Sequence, residues 1–164
     1  MDRKLFIKKT VLAAGAVSVP TFIIAQDRSI LSIEEIQEFV FAAHRDLEET
    51  KRIIENKPLL LNCTNQGKRG DFETAIGGAS HMARRDIADL LVGKGARLDI
   101  FNLAFLGYTD LVVKLVKDFP HLLNAPGPHG FTLLHHAQAG ENTKLEEWLL
   151  SKGLKETWFK GIFG

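Results

Sequence analysis

The chain has 164 residues, a quarter of them charged, with 21 Lys and Arg set against 20 Asp and Glu. A balance so close to neutral, with no clustered basic run, excludes a protein that grips nucleic acid by neutralising phosphates. A lone cysteine, Cys63, excludes an internal disulfide.

Residues 1–25 read as a secretory signal peptide. Arg3, Lys4, Lys8 and Lys9 face only Asp2, and Val11 to Ile24 is free of charge and rich in Ala, Val and Ile. Gly15 and Pro20 interrupt the apolar stretch, and a membrane span needs about 20 apolar residues. Cleavage is expected after Ala25, although Ile23 is larger than the small residue usual two places earlier. An uncleaved leader would act as an anchor. Arg3-Lys4-Leu5-Phe6-Ile7-Lys8 is similar to a twin-arginine export motif with lysine as its second basic residue, which leaves the export route open. Removal of the leader leaves 17 basic and 19 acidic residues in residues 26–164, enough for one domain.

From there one local pattern is written four times: a short helix, a tight turn, a more apolar helix, then a stop at Gly or Pro. Two copies are worn, Phe39 to Asn62 and Asn102 to Asn124. They share a small residue on the first helix, Ala42 or Ala104, and a closing Pro-x-Leu-Leu-Asn run at Pro58 and Pro120. Proline cannot continue a helix and so fixes the exit. The other two, from Thr74 to Ala96 and from Thr132 to Leu154, align without a gap through Gly95 and Gly153, each a helix C-cap. On the second helices Ile87, Leu90 and Leu91, then Leu111, Leu115 and Val116, then Leu145, Trp148 and Leu149 recur at helical spacing and are expected in the core.

Thr132-Leu133-Leu134-His135 with Ala137, and Leu149-Leu150-Ser151-Lys152-Gly153, resemble the Thr-Pro-Leu-His-x-Ala opening and Leu-Leu-x-x-Gly close of an ankyrin repeat. Thr74-Ala75-Ile76-Gly77 with Ala79, and Leu91-Val92-Gly93-Lys94-Gly95-Ala96, repeat the match. The resemblance runs from Ser32 to Leu154. It implies an all-α ankyrin-repeat solenoid of about four helix-turn-helix repeats, in which each unit buries its apolar face only against its neighbours. The equivalent positions Ile53, Leu91, Leu115 and Leu149 lie 38, 24 and 34 residues apart, against a family period of about 33. The short interval leaves no room for a finger hairpin at Ala96 to Phe101, so one connection is expected to be shortened. The long one predicts an extended finger from Asn62 to Glu73. Ala125-Pro126-Gly127-Pro128-His129-Gly130 predicts a stiff ordinary finger.

Chemistry-bearing motifs are absent: no phosphate loop, no His-Glu-x-x-His helix, no paired-cysteine zinc spacing and no Gly-x-Ser-x-Gly elbow. Gly77-Gly78 is expected to let helices approach closely. His135 and His136 are adjacent on a helix and so point about 100° apart, which prevents both from ligating one ion from one face. The resemblance gives His135 a structural role, its ring bonding backbone between repeats. No catalytic residue, metal ligand or cofactor is assigned.

The resemblance further implies a binding face made by the first helices. By register it carries His44, then Gly78, His81 and Met82, then Asn102, Phe105 and Leu106, then His136 and Ala139. Exposed Phe and Leu beside polar groups suit a protein partner; alternatively, Phe105 and Leu106 fill the hole left by the missing finger. Cys63 is expected as a partly buried structural thiol, or, if exposed, as a cross-link between two copies. Trp158 and Phe159 are expected to fold back over the open end of the last repeat, or to form a recognition tail.

The expected function is that of a periplasmic or secreted, non-catalytic protein-protein interaction module that binds neither nucleic acid nor, after cleavage, membrane. Two alternatives are an accessory or chaperone-like subunit of a periplasmic redox or stress-defence enzyme, and a small exported enzyme or metal-binding protein using His44, His81 and His136.

Overall fold

A computed structural model describes residues 30–163; the leader assigned to residues 1–25 lies outside the described residues. The described chain is mostly helical. Its first pair is α1 (Ile33–Ala43) and α2 (Leu47–Asn56). A hairpin of β1 (Thr64–Gln66) and β2 (Phe72–Thr74) leads to α3 (Ala75–His81) and α4 (Arg85–Gly93). Then come α5 (Ile100–Leu106) with α6 (Thr109–Asp118), and α7 (Leu133–Ala139) with α8 (Thr143–Ser151). Among the described residues no helix is long and apolar enough to cross a membrane.

Each first helix packs on its own second helix, and the first helices follow one another, α1 against α3, α3 against α5, α5 against α7. The helices are short, so their ends depend on side-chain caps. Ser32 and Glu35 form a capping box on α1, and Asp99 with Asn102 does the same on α5. Thr74 and Thr132 accept from the amides of Gly77 and His135 at 3.1 and 3.3 Å. The turns that follow α3 and α7 also match, with Ala83 and Glu141 at φ 55° and 54°.

Local geometry therefore follows the gap-free register of the sequence. The two worn segments share a short 3-10 turn, Pro58–Asn62 and Pro120–Asn124, each opened by its proline. The expected long finger is the β1–β2 hairpin, registered Thr64 with Thr74 and Gln66 with Phe72. At Ala96 to Asp99 the chain passes to α5 with no strand, and Asn62 Oδ1 accepts from the Arg97 amide at 2.8 Å.

The core forms two clusters. One gathers Phe39, Ile53, Ile54, Leu60, Ile76, Ile87, Leu91 and Phe105, the other Phe101, Val112, Val116, Leu133, Leu134, Leu145, Leu149 and Leu154. Helix α5 joins them, since Phe105 belongs to the first and Phe101 to the second. Four expectations about the core need correction, and Leu90 and Leu115 are two of them, each only partly buried. Leu111 is 52% exposed, Val112 holding the buried position on α6, and Trp148 is only partly buried. Cys63 is half-buried beside the Leu59 carbonyl, and burial pushes its thiol pKa up.

The C-terminal segment folds back along the loop before α7. Phe131 and Trp158 form an antiparallel bridge. The Thr132 amide donates to the Thr157 carbonyl at 3.0 Å, and the Phe159 amide to the Gly130 carbonyl at 2.9 Å. Trp158 Nε1 donates to the His129 carbonyl at 2.7 Å.

Candidate functional site

Two tight turns of the same shape sit beside the first helices. Gly67-Lys68-Arg69-Gly70-Asp71 and Gly127-Pro128-His129-Gly130-Phe131 are closed by bonds from the Gly67 and Gly127 amides to the carbonyls of Asp71 and Phe131, at 2.7 and 2.8 Å. Arg69 and His129 have φ 56° and 57°, and Gly70 and Gly130 follow at 82° and 85°. Glycine takes that conformation without steric cost. After the second turn Thr132 comes next and caps α7, whereas after the first Phe72 and Glu73 intervene before Thr74. That extra pair of residues carries the site's only carboxylate aimed at three imidazoles.

Asp71 and Glu73 alternate along the strand segment and so share a face. Glu73 is buried, and its Oε1 lies 2.7 Å from His81 Nε2 and 3.4 Å from His44 Nε2. Its Oε2 lies 3.2 Å from His129 Nε2. The Nε2 atoms of His44 and His81 are 3.2 Å apart. The residues arrive from the C-terminal ends of α1 and α3, from β2, and from the turn before α7. Glycine at position 78 makes room: a Cβ there would stand 2.7 Å from Cε1 of His44.

Each ring is held by a second contact. His44 Nδ1 donates to the Val40 carbonyl at 2.7 Å. His129 Nδ1 donates to Asp71 Oδ2 at 2.7 Å, while its amide donates to Oδ1 of the same carboxylate at 2.9 Å. The His81 ring stacks on Phe131 with centroids 5.1 Å apart, and Phe131 stacks in turn on His135 at 4.2 Å. His135 Nε2 donates to the His81 carbonyl at 2.9 Å, the ring-to-backbone bond expected of it.

The electrostatics follow from this enclosure. Burial alone would raise the Glu73 pKa, but the hydrogen bonds from His44 and His81 outweigh it and hold the carboxyl at about 2. Burial would lower His44, yet the Glu73 carboxylate prevails and raises it. Glu73 is thus ionised across the physiological range.

The residues expected to form a binding face divide sharply. Asn102, Phe105 and His136 are buried and are not a surface. Asn102 Nδ2 donates to Ser80 Oγ at 3.1 Å and so ties α5 to α3. Phe105 is core filler, one of the two roles anticipated for it. His136 Nδ1 donates to the Thr132 carbonyl at 2.8 Å, with its ring 5.2 Å from Phe101; it is absent from the cluster with His44 and His81. His81 is buried within that cluster, His44 and Leu106 are half-buried, and Met82 is 51% exposed. Glu73 and His129 were not singled out by sequence reasoning. The signal available was the Gly-x-x-Gly spacing at both turns, followed at the first by Asp71-Phe72-Glu73.

No family model matches the chain, and no curated protein does.

Proposed function

We propose that the chain is an ankyrin-type repeat protein, exported by its leader, that acts as a rigid non-catalytic scaffold for a protein partner. The observation that carries this reading is the succession of four helix pairs whose first helices contact one another in order, α1 to α3 to α5 to α7. Capping threonines and closing turns recur at the same register, as the ankyrin resemblance requires. Such a stack is a quasi-one-dimensional platform, and its recognition surface spans several units. On the described surface Phe41, Met82 and Tyr108 are exposed on or immediately after the first helices. These apolar groups are the anchors assigned to the partner, with Leu106 half-buried beside them.

The test has two arms. Mature protein from the native host should begin near Gln26 and occur outside the cytoplasm; soluble cytoplasmic protein retaining Met1 would overturn the export part. A partner recovered by cross-linking with wild-type protein should bind the Met82→Asp, Tyr108→Asp variant about 30-fold more weakly, since two anchors of about 1 kcal/mol each are removed. Equal affinity of the folded variant would overturn the first-helix assignment.

A further inference from the structure

We propose that His44, Glu73, His81 and His129 ligate one divalent transition-metal ion, with zinc as the best fit. Their four donor atoms come from four separate segments and all lie within 4.8 Å of one another. Around a tetrahedral ion with bonds of about 2.0–2.1 Å, donor atoms sit about 3.3–3.4 Å apart. His44 Nε2, His81 Nε2 and Glu73 Oε1 stand 3.2, 3.4 and 2.7 Å apart (His44 to His81, His44 to Glu73, His81 to Glu73), while His129 Nε2 is 3.2 Å from the other carboxylate oxygen, Oε2. Only small side-chain shifts separate this arrangement from a coordination shell.

The tautomers argue the same way. His44 commits its Nδ1 proton to the Val40 carbonyl, and His129 commits its own to Asp71. The Nε2 atoms of both rings are thereby turned to the Glu73 carboxylate, each offering it a proton or, once that proton is displaced, a lone pair to a metal ion. Glu73 Oε2 is buried and accepts no hydrogen bond, despite His129 Nε2 at 3.2 Å. A buried carboxylate among these rings needs a positive charge beside it, and a cation bound at the Nε2 atoms would supply it in place of the protons. The Asp71–His129 contact is the carboxylate–histidine–metal arrangement that orients a ligand from its outer side, and the Val40 carbonyl does the same for His44. Three imidazoles and one carboxylate suit zinc, and also cobalt, nickel or copper, whereas magnesium and calcium prefer oxygen shells. With four protein donors the site is closed and its role is structural: the ion would clamp the β1–β2 hairpin and the Pro128–Gly130 turn onto the ends of α1 and α3. This inference stands on the local geometry and is independent of the repeat assignment.

The test uses the full mature chain without an affinity tag, stripped with EDTA, and titrated at pH 7 with zinc against a chromophoric chelator. One equivalent should bind with a Kd of about 1 µM or tighter, and the thermal midpoint should rise on saturation. His129→Ala, on an exposed turn, and Glu73→Gln, each checked for native fold by circular dichroism, should each weaken zinc by at least 10-fold. Asp71→Asn should weaken it about 10–100-fold through the outer contact alone. His121→Ala, outside the cluster, should bind as wild type does. Cobalt should give the intense visible absorption of a tetrahedral site. A folded wild-type chain with no zinc affinity tighter than about 100 µM, or wild-type affinity retained in folded His129→Ala, would overturn the assignment.

Discussion

Acidification from pH 7 to pH 4 should destabilise the protein through His136, whose ring is fully buried between α7 and Phe101. Burial, reinforced by the neighbouring His135 and His81, holds its pKa at about 4, against 6.5 for an ordinary histidine. As the pH falls below 6.5 the unfolded chain takes up a proton that the folded chain refuses until about pH 4. The unfolded state therefore binds more protons in this window, and stability, fully present above 6.5, is lost as the pH falls through it. The interval between the two pKa values corresponds to about 3 kcal/mol. The assay is urea denaturation at pH 7, 5.5 and 4, with EDTA present throughout, on wild type and on His136→Leu. Leucine is of similar bulk and takes up no proton, and the Thr132 carbonyl keeps its bond from the residue-136 amide, now at 3.2 Å. Groups common to both proteins, including Glu73 and His44, cancel in the difference. Wild type should lose about 3 kcal/mol more than the variant between pH 7 and pH 4. Equal losses would refute the claim that His136 is held neutral in the fold.

Core and surface leucines and phenylalanines should separate cleanly. Phe105→Ala, at a position 1% exposed, should cost about 3–5 kcal/mol in a denaturant titration, whereas Leu111→Ala should stay within about 0.5 kcal/mol. The Phe105 variant should still unfold in a single transition, because α5 belongs to both clusters; two resolved transitions would contradict that sharing. Gly140→Ala should cost at least about 2 kcal/mol, since its Cβ would fall 2.0 Å from the Phe105 carbonyl oxygen and backbone must move. Gly93→Ala meets nothing within 4 Å and should gain up to about 1 kcal/mol of helix stability, read as a higher melting temperature. In Gly78→Ala the His44 ring must leave its place, so its NMR resonances should shift while those of His136 stay put.

Much of this architecture was legible because it depends on local chemistry. Thr74 and Thr132 cap helices with their own hydroxyls, Pro58 and Pro120 close them, and the gap-free register carries the same turn to Ala83 and Glu141. The spacing between second helices also located the β1–β2 hairpin and the strandless passage to α5. The faces of α5 and α7 were harder to read. On so short a helix a shift of one residue decides burial, and register placed Asn102, Phe105 and His136 on a face that the packing of α3, α5 and α7 encloses. Leu111 and Val112 exchange roles on α6 for the same reason: adjacent apolar residues leave helical periodicity ambiguous by about 100°.

The histidine cluster lay beyond local reading because no two of its members share an element. His44 and His81 end α1 and α3, and only stacking of one pair on the next brings them together. Glu73 reaches them because Phe72 and Glu73 lengthen the return of the hairpin, and His129 reaches Glu73 because its turn repeats the backbone of the first. Gly78 is the complementary change, since any side chain there would occupy the space of the His44 ring. A charged residue added to a buried surface costs stability unless its partners are already in place. The inserted Glu73, the missing side chain at residue 78, and Asp71 behind His129 therefore make physical sense only as a set. Each is a departure from the parallel segment around Thr132, where Phe131 leads directly into the cap and His136 stands at the register position of Gly78. There the same register buries a single imidazole against Phe101, with no carboxylate to meet it, and its pKa falls to about 4 instead of rising.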